Sequence, residues 1–418
     1  MNDEFKDTEI GRIPKEWEIK RLGDIVEYNL GRTPKRDVKK YWDEPYFNWV
    51  SISDLIQYGE IKHTKERISK IALDEVFHSK YSRKGTLIMS FKLVIGRVSI
   101  LGLDAVHNEA IISIFPKYDV IDKIFLMYYL SIIPYDKYLD RAVKGNTLNK
   151  SKLDKLNIII PPLEEQKRIA YVLSKIQNTI EIQDKLIKLL QELKKTMMHT
   201  LFTEGIGHTQ FKDTEIGRIP KEWEIKTLKD ISNIITGNTP SKANKEYWQN
   251  GKIEFIKPPD LKNEVIKTYS EMISYSAKSK ARIIPRNSVL VSCIGIIGRV
   301  GYTNKEIAFN QQINGLILND KIVYYLYVFY ILQYEKKQFE ILASKTTVPI
   351  INKSKFSTIL IPLPPLEEQK KIAEILSAID NKISIETKRK ESFEKLFKTM
   401  LNKLMTGQIR TKNIEMIQ

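Results

Sequence analysis

From Leu163 onward, apolar residues return at Ile169, Leu173, Ile176 and Ile180, pass a polar step at Gln183, and resume at Ile187 and Leu190. The steps alternate four and three residues, which predicts a helix with one apolar seam. Pro161-Pro162 precede Leu163-Glu164-Glu165, placing proline and acids where a first helical turn accepts them. The same start recurs at Leu366, with Ile372, Leu376, Ile379 and Ile383, and Glu386 at the polar step. Lys390 then stands where Ile187 stood, and Phe393, Leu396 and Met400 resume the stripe. Leu163 to Thr200 is 38 residues, roughly 57 Å of helix at 1.5 Å per residue. A helix that long cannot bury its seam on its own domain alone. The pattern predicts two long helices paired antiparallel, a ruler with globular parts at opposite ends. The competing reading packs each helix on its own domain.

Between the helices the period changes. Leu87–Ser90, Val289–Ser292, Ile111–Ile114 and Ile313–Leu318 are short apolar runs of strand length bounded by turn residues. Phe125–Leu130 and Tyr324–Leu332 read as buried helices; their tyrosines suit core packing better than base stacking. The globular parts are therefore expected to be mixed α/β.

The chain repeats itself. Phe5–Lys20 and Phe211–Lys226 are identical at all sixteen positions. Gly31-Arg32-Thr33-Pro34 returns as Gly237-Asn238-Thr239-Pro240, Tyr41-Trp42 as Tyr247-Trp248, and Ile95-Gly96-Arg97-Val98 as Ile297-Gly298-Arg299-Val300. Asn149–Lys152 matches Asn352–Lys355, and Pro162–Lys167 matches Pro365–Lys370. The expected organisation is a tandem: a recognition domain over 1–162, a long helix over 163–205, a second domain over 206–365, and a second helix with its tail over 366–418. Stretches 56–94 and 262–296 hardly align. Similar frames with different middles suggest one task performed on two targets.

Charge then narrows the partner. Lys and Arg number 68 against 51 acids, a formal +17, which favours a polyanion such as nucleic acid, although Lys-rich proteins are often basic without binding one. The excess is spread along the chain rather than held in one arm. A single cysteine, Cys293, and five scattered histidines provide neither a disulfide nor a Cys/His zinc cluster. With no signal-like apolar start and a longest apolar run of eleven residues, Ile322–Leu332, a cytoplasmic protein with no membrane partner is expected.

Candidate contacts gather in loops. Arg32, Lys35, Arg36, Lys39 and Lys40 lie together against Asp37 alone, and the second copy offers Lys242 and Lys245. The Gly-x-Thr-Pro turn adds Thr33 in one copy and Asn238 and Thr239 in the other; hydroxyls, amides and cations all suit phosphate. Tyr41-Trp42 and Tyr247-Trp248 are read as anchors of that loop. Arg97 and Arg299 suit either guanine and phosphate or a structural ion pair. Asn108 with Glu109, against Asn310 with Gln311 and Gln312, puts different base-reading groups on one frame, as do Lys144 and Asn146 against Lys345. Catalytic signatures are missing. No phosphate-binding G-x-x-x-x-G-K-[ST] loop occurs, Cys293–Gly298 lacks the first glycine of G-x-G-x-x-G, and Lys257-Pro258-Pro259-Asp260 lacks the flanking residues of an aminomethyltransferase motif. Glu18-Ile19-Lys20 lacks the preceding acid of a nuclease.

Together, the Gly11–Trp17 and Gly217–Trp223 openings, the Gly-x-Thr-Pro turns, and the Pro161–Lys167 and Pro364–Lys370 helix starts resemble the specificity subunit of Type I restriction–modification systems. The resemblance implies two target-recognition domains, each reading half of a bipartite site in double-stranded DNA, held apart by paired antiparallel helices that set the spacer. It implies two modification subunits that methylate adenine N6 with S-adenosylmethionine, docked on the helices, and restriction subunits using ATP and Mg²⁺. This chain would then bind no cofactor and catalyse nothing itself. The alternatives are a self-contained restriction–methylation enzyme with unrecognised motifs and a basic protein–protein scaffold.

Overall fold

The structure, a computed structural model, describes residues 4–138, 140–142, 145–344, 346–412, 414 and 416. Two compact units emerge. The first takes Met1–Asp184 with Lys388–Gln418, the second Lys185–Thr387. Each unit therefore contains half of both long helices, Leu163–Thr203 and Leu366–Met405. None of the described helices is long and apolar enough to cross a membrane.

The first unit is built on a five-stranded sheet in the order Val26–Leu30, Ile111–Pro116, Leu87–Ser90, Val98–Leu101 and Glu60–Ile61. The first three pairings are antiparallel and the last is parallel. The apolar runs predicted as strands form its middle, and Leu87, Ile88, Met89 and Ser90 are all buried. A smaller sheet pairs Phe47–Val50 with Val106–His107 and with Glu66–Ile68. Helix Lys123–Ile132 packs beneath, its first turn capped where Asp122 accepts from the Phe125 backbone N–H at 2.8 Å.

The second unit repeats the plan. Its main sheet runs Ser232–Thr236, Ile313–Leu318, Val289–Ser292 and Val300–Tyr302, antiparallel throughout. The smaller sheet is Glu271–Ile273, Ile253–Ile256, Ile307–Phe309 and Ile283–Ile284, and the buried helix is Tyr325–Tyr334.

Both readings of the long helices hold at once. In the first unit Ile169 and Leu173 are buried in one cluster with Phe125 of the domain and with Phe397, Leu401 and Leu404 of the C-terminal helix; Ile176 and Ile180 pack at its margin. Glu165 meets Arg410 at one end of this pair and Asp184 meets Lys390 at 2.7 Å at the other, so the helices run antiparallel. In the second unit Ile372 and Leu376 join Met198, Leu201 and Phe202, Ile379 and Ile383 are half-buried, and Lys194 reaches Asp380 at 2.7 Å. One expectation needs correction: Leu396 is 44% exposed, and Phe397 is the residue that turns inward. The stripe shifts by one residue there because Phe397 seats edge-on against Tyr128.

The motifs that repeat most faithfully turn out to fasten the frame. Trp17 is fully buried and its indole N–H donates to Glu165 at 3.1 Å; Trp223 does the same to Glu368. Gln166 accepts from Asp122 N–H and donates to the Val120 and Pro161 carbonyls, and Gln369 copies this with Tyr324, Ile322 and Pro364. Arg410 closes the first clasp with paired bonds of 2.8 and 2.7 Å to Glu165. His208 occupies that role in the second, 2.9 Å from Glu368. Burial opposes the charge on Glu165, but Arg410 and Trp17 still hold its carboxyl below the usual range.

Candidate nucleic-acid interface

The loops singled out from distant parts of the sequence meet at one end of each main sheet. In the first unit, Gly31–Thr33 follows strand Val26–Leu30, the turn 91–97 follows Leu87–Ser90, and Asn108–Ala110 precedes Ile111–Pro116. Their strands pair Leu30 with Ile112 and Ser90 with Ile111, which fixes all three loops at the same edge. Leu148 N–H bonds the Phe91 carbonyl at 3.2 Å and brings the end of the short strand Gly145–Thr147 there as well. The second unit assembles Gly237–Thr239, 293–299, Asn310–Gln312 and 346–350 in the same way, with Thr236 opposite Asn314 and Ser292 opposite Ile313. Lys144 and Lys345 lie outside the described residues, as does the side chain of Asn146.

Glycine is required at the first of these loops. A β-carbon on Gly31 would collide with the carbonyls of His107 and Asn108, and one on Gly237 with those of Phe309 and Asn310. That close approach locks the two loops together. Thr33 donates to the Glu109 carboxylate, and Thr239 to the Gln311 side chain at 2.6 Å.

The basic loop divides into committed and uncommitted cations. Arg36 forms a paired salt bridge to Glu66 at 2.5 and 2.9 Å and lies 3.8 Å over the Trp42 ring. Its guanidinium is raised further above its ordinary pKa chiefly by that bond. Lys40 binds Glu75 at 2.8 Å. Arg32 donates to the Val76 carbonyl at 2.7 Å. In the second unit Lys242 pairs with Glu271 at 2.7 Å and covers Trp248. Lys35, Lys39 and Lys245 are exposed, with no ion pair among the described residues. The tryptophans act as anchors: Trp42 packs edge-on to Trp49 and bonds the Lys35 carbonyl at 3.1 Å, while Trp248 packs on Phe255 and bonds the Ser241 carbonyl.

Arg97 and Arg299 are half-exposed and have no ion pair among the described residues, so the structural salt bridge considered for them does not form there. Asn108 commits its amide oxygen, which accepts from the Ala110 N–H at 3.1 Å and shapes its own loop. Asn238 is likewise committed, bonding the Lys280 carbonyl and the Arg282 N–H. Gln312 accepts from Asn310 at 2.9 Å, whereas Gln311 is exposed beside Thr239. Glu109 in one unit and Gln311 in the other stay exposed while accepting from Thr33 and Thr239.

Sequence reasoning missed a buried polar chain behind the first loop. His107 Nε2 lies 2.6 Å from the Ser113 hydroxyl, which lies 2.5 Å from that of Ser82. All three are buried, and burial pushes the His107 pKa down to about 4. Ser82 and His107 line a cleft of about 330 Å³ together with Gly31, Arg32, Lys80 and Tyr81. At the same 202-residue offset the second unit holds Ile284, Phe309 and Gly315, packed on one another. That offset, applied residue by residue, was the signal available in the sequence.

Comparison with known proteins follows the same two-part division. Residues 14–192 and 220–395 each match the family of the Type I restriction modification DNA specificity domain. The putative type I restriction enzyme MjaX specificity subunit of Methanocaldococcus jannaschii is 34% identical over 98% of this chain and 97% of its own length. The MjaVIII specificity subunit of the same organism is 30% identical over 99% and 97%. Among solved structures, the S subunit of a Type I restriction–modification system from M. genitalium superposes with a TM-score of 0.59 at 16% identity, covering 93% of this chain and 96% of that one.

Proposed function

We propose, because this chain belongs to the Type I restriction–modification DNA specificity family, that it selects the DNA sequence on which such a system acts. Each unit reads one half of a bipartite duplex site with the loops at the end of its main sheet. The long helices set the unspecified spacer between the halves, and their exposed apolar side chains, among them Leu189, Leu193 and Ile385, offer contact to two modification subunits. Restriction subunits join that assembly. S-adenosylmethionine, ATP and Mg²⁺ serve the partner subunits, and this chain supplies binding without chemistry, in the cytoplasm.

The observation that carries the reading is the convergence, in both units, of four separate loops on one sheet edge with different outward groups. Glu109 against Gln311 is what one frame needs in order to read two different half-sites, since a carboxylate accepts from cytosine and an amide grips adenine. Exposed Lys35, Lys39 and Lys245 supply sequence-independent phosphate contact. Phosphate at these loops would compete with Glu66 for Arg36 and with Glu271 for Lys242.

Selection of bound duplexes from a random pool, with the chain alone and with its modification subunits, tests this. Two short motifs separated by a fixed gap are expected, and deleting one heptad from both helices shortens the gap. A single contiguous motif would remove the spacer role. Methyl transfer by the purified chain alone would favour a self-contained enzyme, and no enrichment with salt-insensitive protein binding would favour a scaffold.

A further inference from the structure

The turn joining Leu87–Ser90 to Val98–Leu101 exposes two apolar residues in succession, Leu93 at 66% and Val94 at 46%. Leu93 has φ +63, a left-handed conformation that non-glycine L residues adopt only against a steric penalty. Its counterpart at the same offset is Gly295, φ +75, where no such penalty arises, and Gly96 and Gly298 share φ +78. The two turns thus trace one path, and the first places a leucine where glycine would be the comfortable choice. The second places its apolar residue one step on, at Ile296, 51% exposed. There Gly295 N–H bonds the Pro349 carbonyl at 3.0 Å, which brings exposed Val348 and Ile350 alongside.

Position argues for the occupant. Phe91 N–H bonds the Ala110 carbonyl at 2.9 Å, and Cys293 N–H bonds the Gln312 carbonyl at 2.8 Å, so each tip stands beside the loop bearing Glu109 or Gln311. Three residues after each tip, past Val94 or Ile296, comes an arginine with no ion pair among the described residues, Arg97 or Arg299. An apolar tip flanked by uncommitted cations complements a duplex groove, where the one apolar group on a base edge is the thymine C5-methyl. Resting on the DNA-reading assignment above, we infer that Leu93 with Val94, and Ile296, are specificity-determining contacts to thymine methyl groups, one in each half-site. Strain and exposure are retained at Leu93 because the bound state covers it.

The experiment replaces each thymine of the selected duplex in turn with deoxyuridine, which removes only the methyl, and measures affinity of the complete chain with its modification subunits. At least one thymine in each half loses about three- to tenfold on that change, the order expected for one apolar methyl contact. The double variant Leu93→Gly/Val94→Ser abolishes that sensitivity in one half, and Ile296→Ser in the other. Leu93→Gly alone leaves thermal unfolding unchanged or raises its midpoint, which a merely structural leucine would not do. Indifference to deoxyuridine everywhere, or sensitivity surviving in the variants, overturns the inference while leaving the recognised motif intact. Loss of modification-subunit binding with an unchanged motif also overturns it and makes the tips a protein contact. Failure to select any motif overturns the underlying reading instead.

Discussion

The two units hold the same frame around different interiors. In the first, Ser82, His107 and Ser113 form a hydrogen-bonded chain under the reading loops; in the second, Ile284, Phe309 and Gly315 fill the same place with apolar packing. The tryptophan bond of the clasp is kept, since Trp17 on Glu165 and Trp223 on Glu368 have the same 3.1 Å contact, while Arg410 in the first gives way to His208 in the second. Sequence identity between the copies therefore marks what fastens the fold, and divergence reaches into the buried layer beneath the loops. Among the repeated residues, Trp17, Trp223, Gln166 and Gln369 are structural, whereas on the reading proposed above Glu109 and Gln311 stand where the repetition stops.

The comparison breaks most completely at the clasp. Trp17→Ala and Trp223→Ala should each cost about 3–5 kcal/mol in their own unit, from the cavity left by a fully buried indole. Hydrogen exchange resolved by unit would show equal losses if the frames are equivalent. A loss confined to one would mean that the clasp is not shared.

Acid sharpens the comparison next. His107 titrates near 4 in the folded first unit against about 6.5 unfolded, so the unfolded chain binds the proton first. Its contribution is fully present above the unfolded value and is lost as pH falls from there toward 4, up to about 3 kcal/mol at 1.36 kcal/mol per pKa unit. The second unit, with Phe309 there, should show no such term. Equal acid sensitivity in both units would contradict the assignment.

Somewhat smaller effects follow from exchanging the interiors. His107→Phe alone removes one of the two partners of the Ser113 hydroxyl, leaving Ser82, and should cost about 0.5–1.5 kcal/mol, the net value of one hydrogen bond. The triple change Ser82→Ile, His107→Phe, Ser113→Gly, which installs the whole apolar set, should recover part of that loss. Denaturant midpoints would decide, and a triple variant worse than the single would show that the two interiors are not interchangeable.

How far these features could be read beforehand depends on their range. The helix seams were legible because Ile169, Leu173, Ile372 and Leu376 lie at fixed local steps and are buried. The strands were legible for the same local reason. Leu396 was misplaced because an aromatic contact, Phe397 on Tyr128, outweighs regular spacing. The cations of the reading loop were visible as a cluster, but their division was not. Arg36 meets Glu66 and Lys40 meets Glu75 across thirty residues or more, and nothing local distinguishes them from Lys35 and Lys39. The polar chain from Ser82 to His107 and Ser113 is equally long-range. The Asn108 amide oxygen meets the Ala110 N–H, a contact that residue type alone does not foretell.

That division gives the smallest effect. Lys35→Ala and Lys39→Ala should each flatten the dependence of log affinity on log salt by about 0.9, the release of one counterion, without altering the selected sequence. Arg36→Ala should change the slope only if Glu66 yields its partner to phosphate.

The central claim is that the two sheet edges read independently. Duplex selection with Glu109→Gln and with Gln311→Glu, each in the complete chain with its modification subunits, tests it most directly. The first variant should change bases in one half-site only and the second in the other only, with the gap unchanged in both. Changes in both halves from either variant, or in neither half from both, would contradict the account.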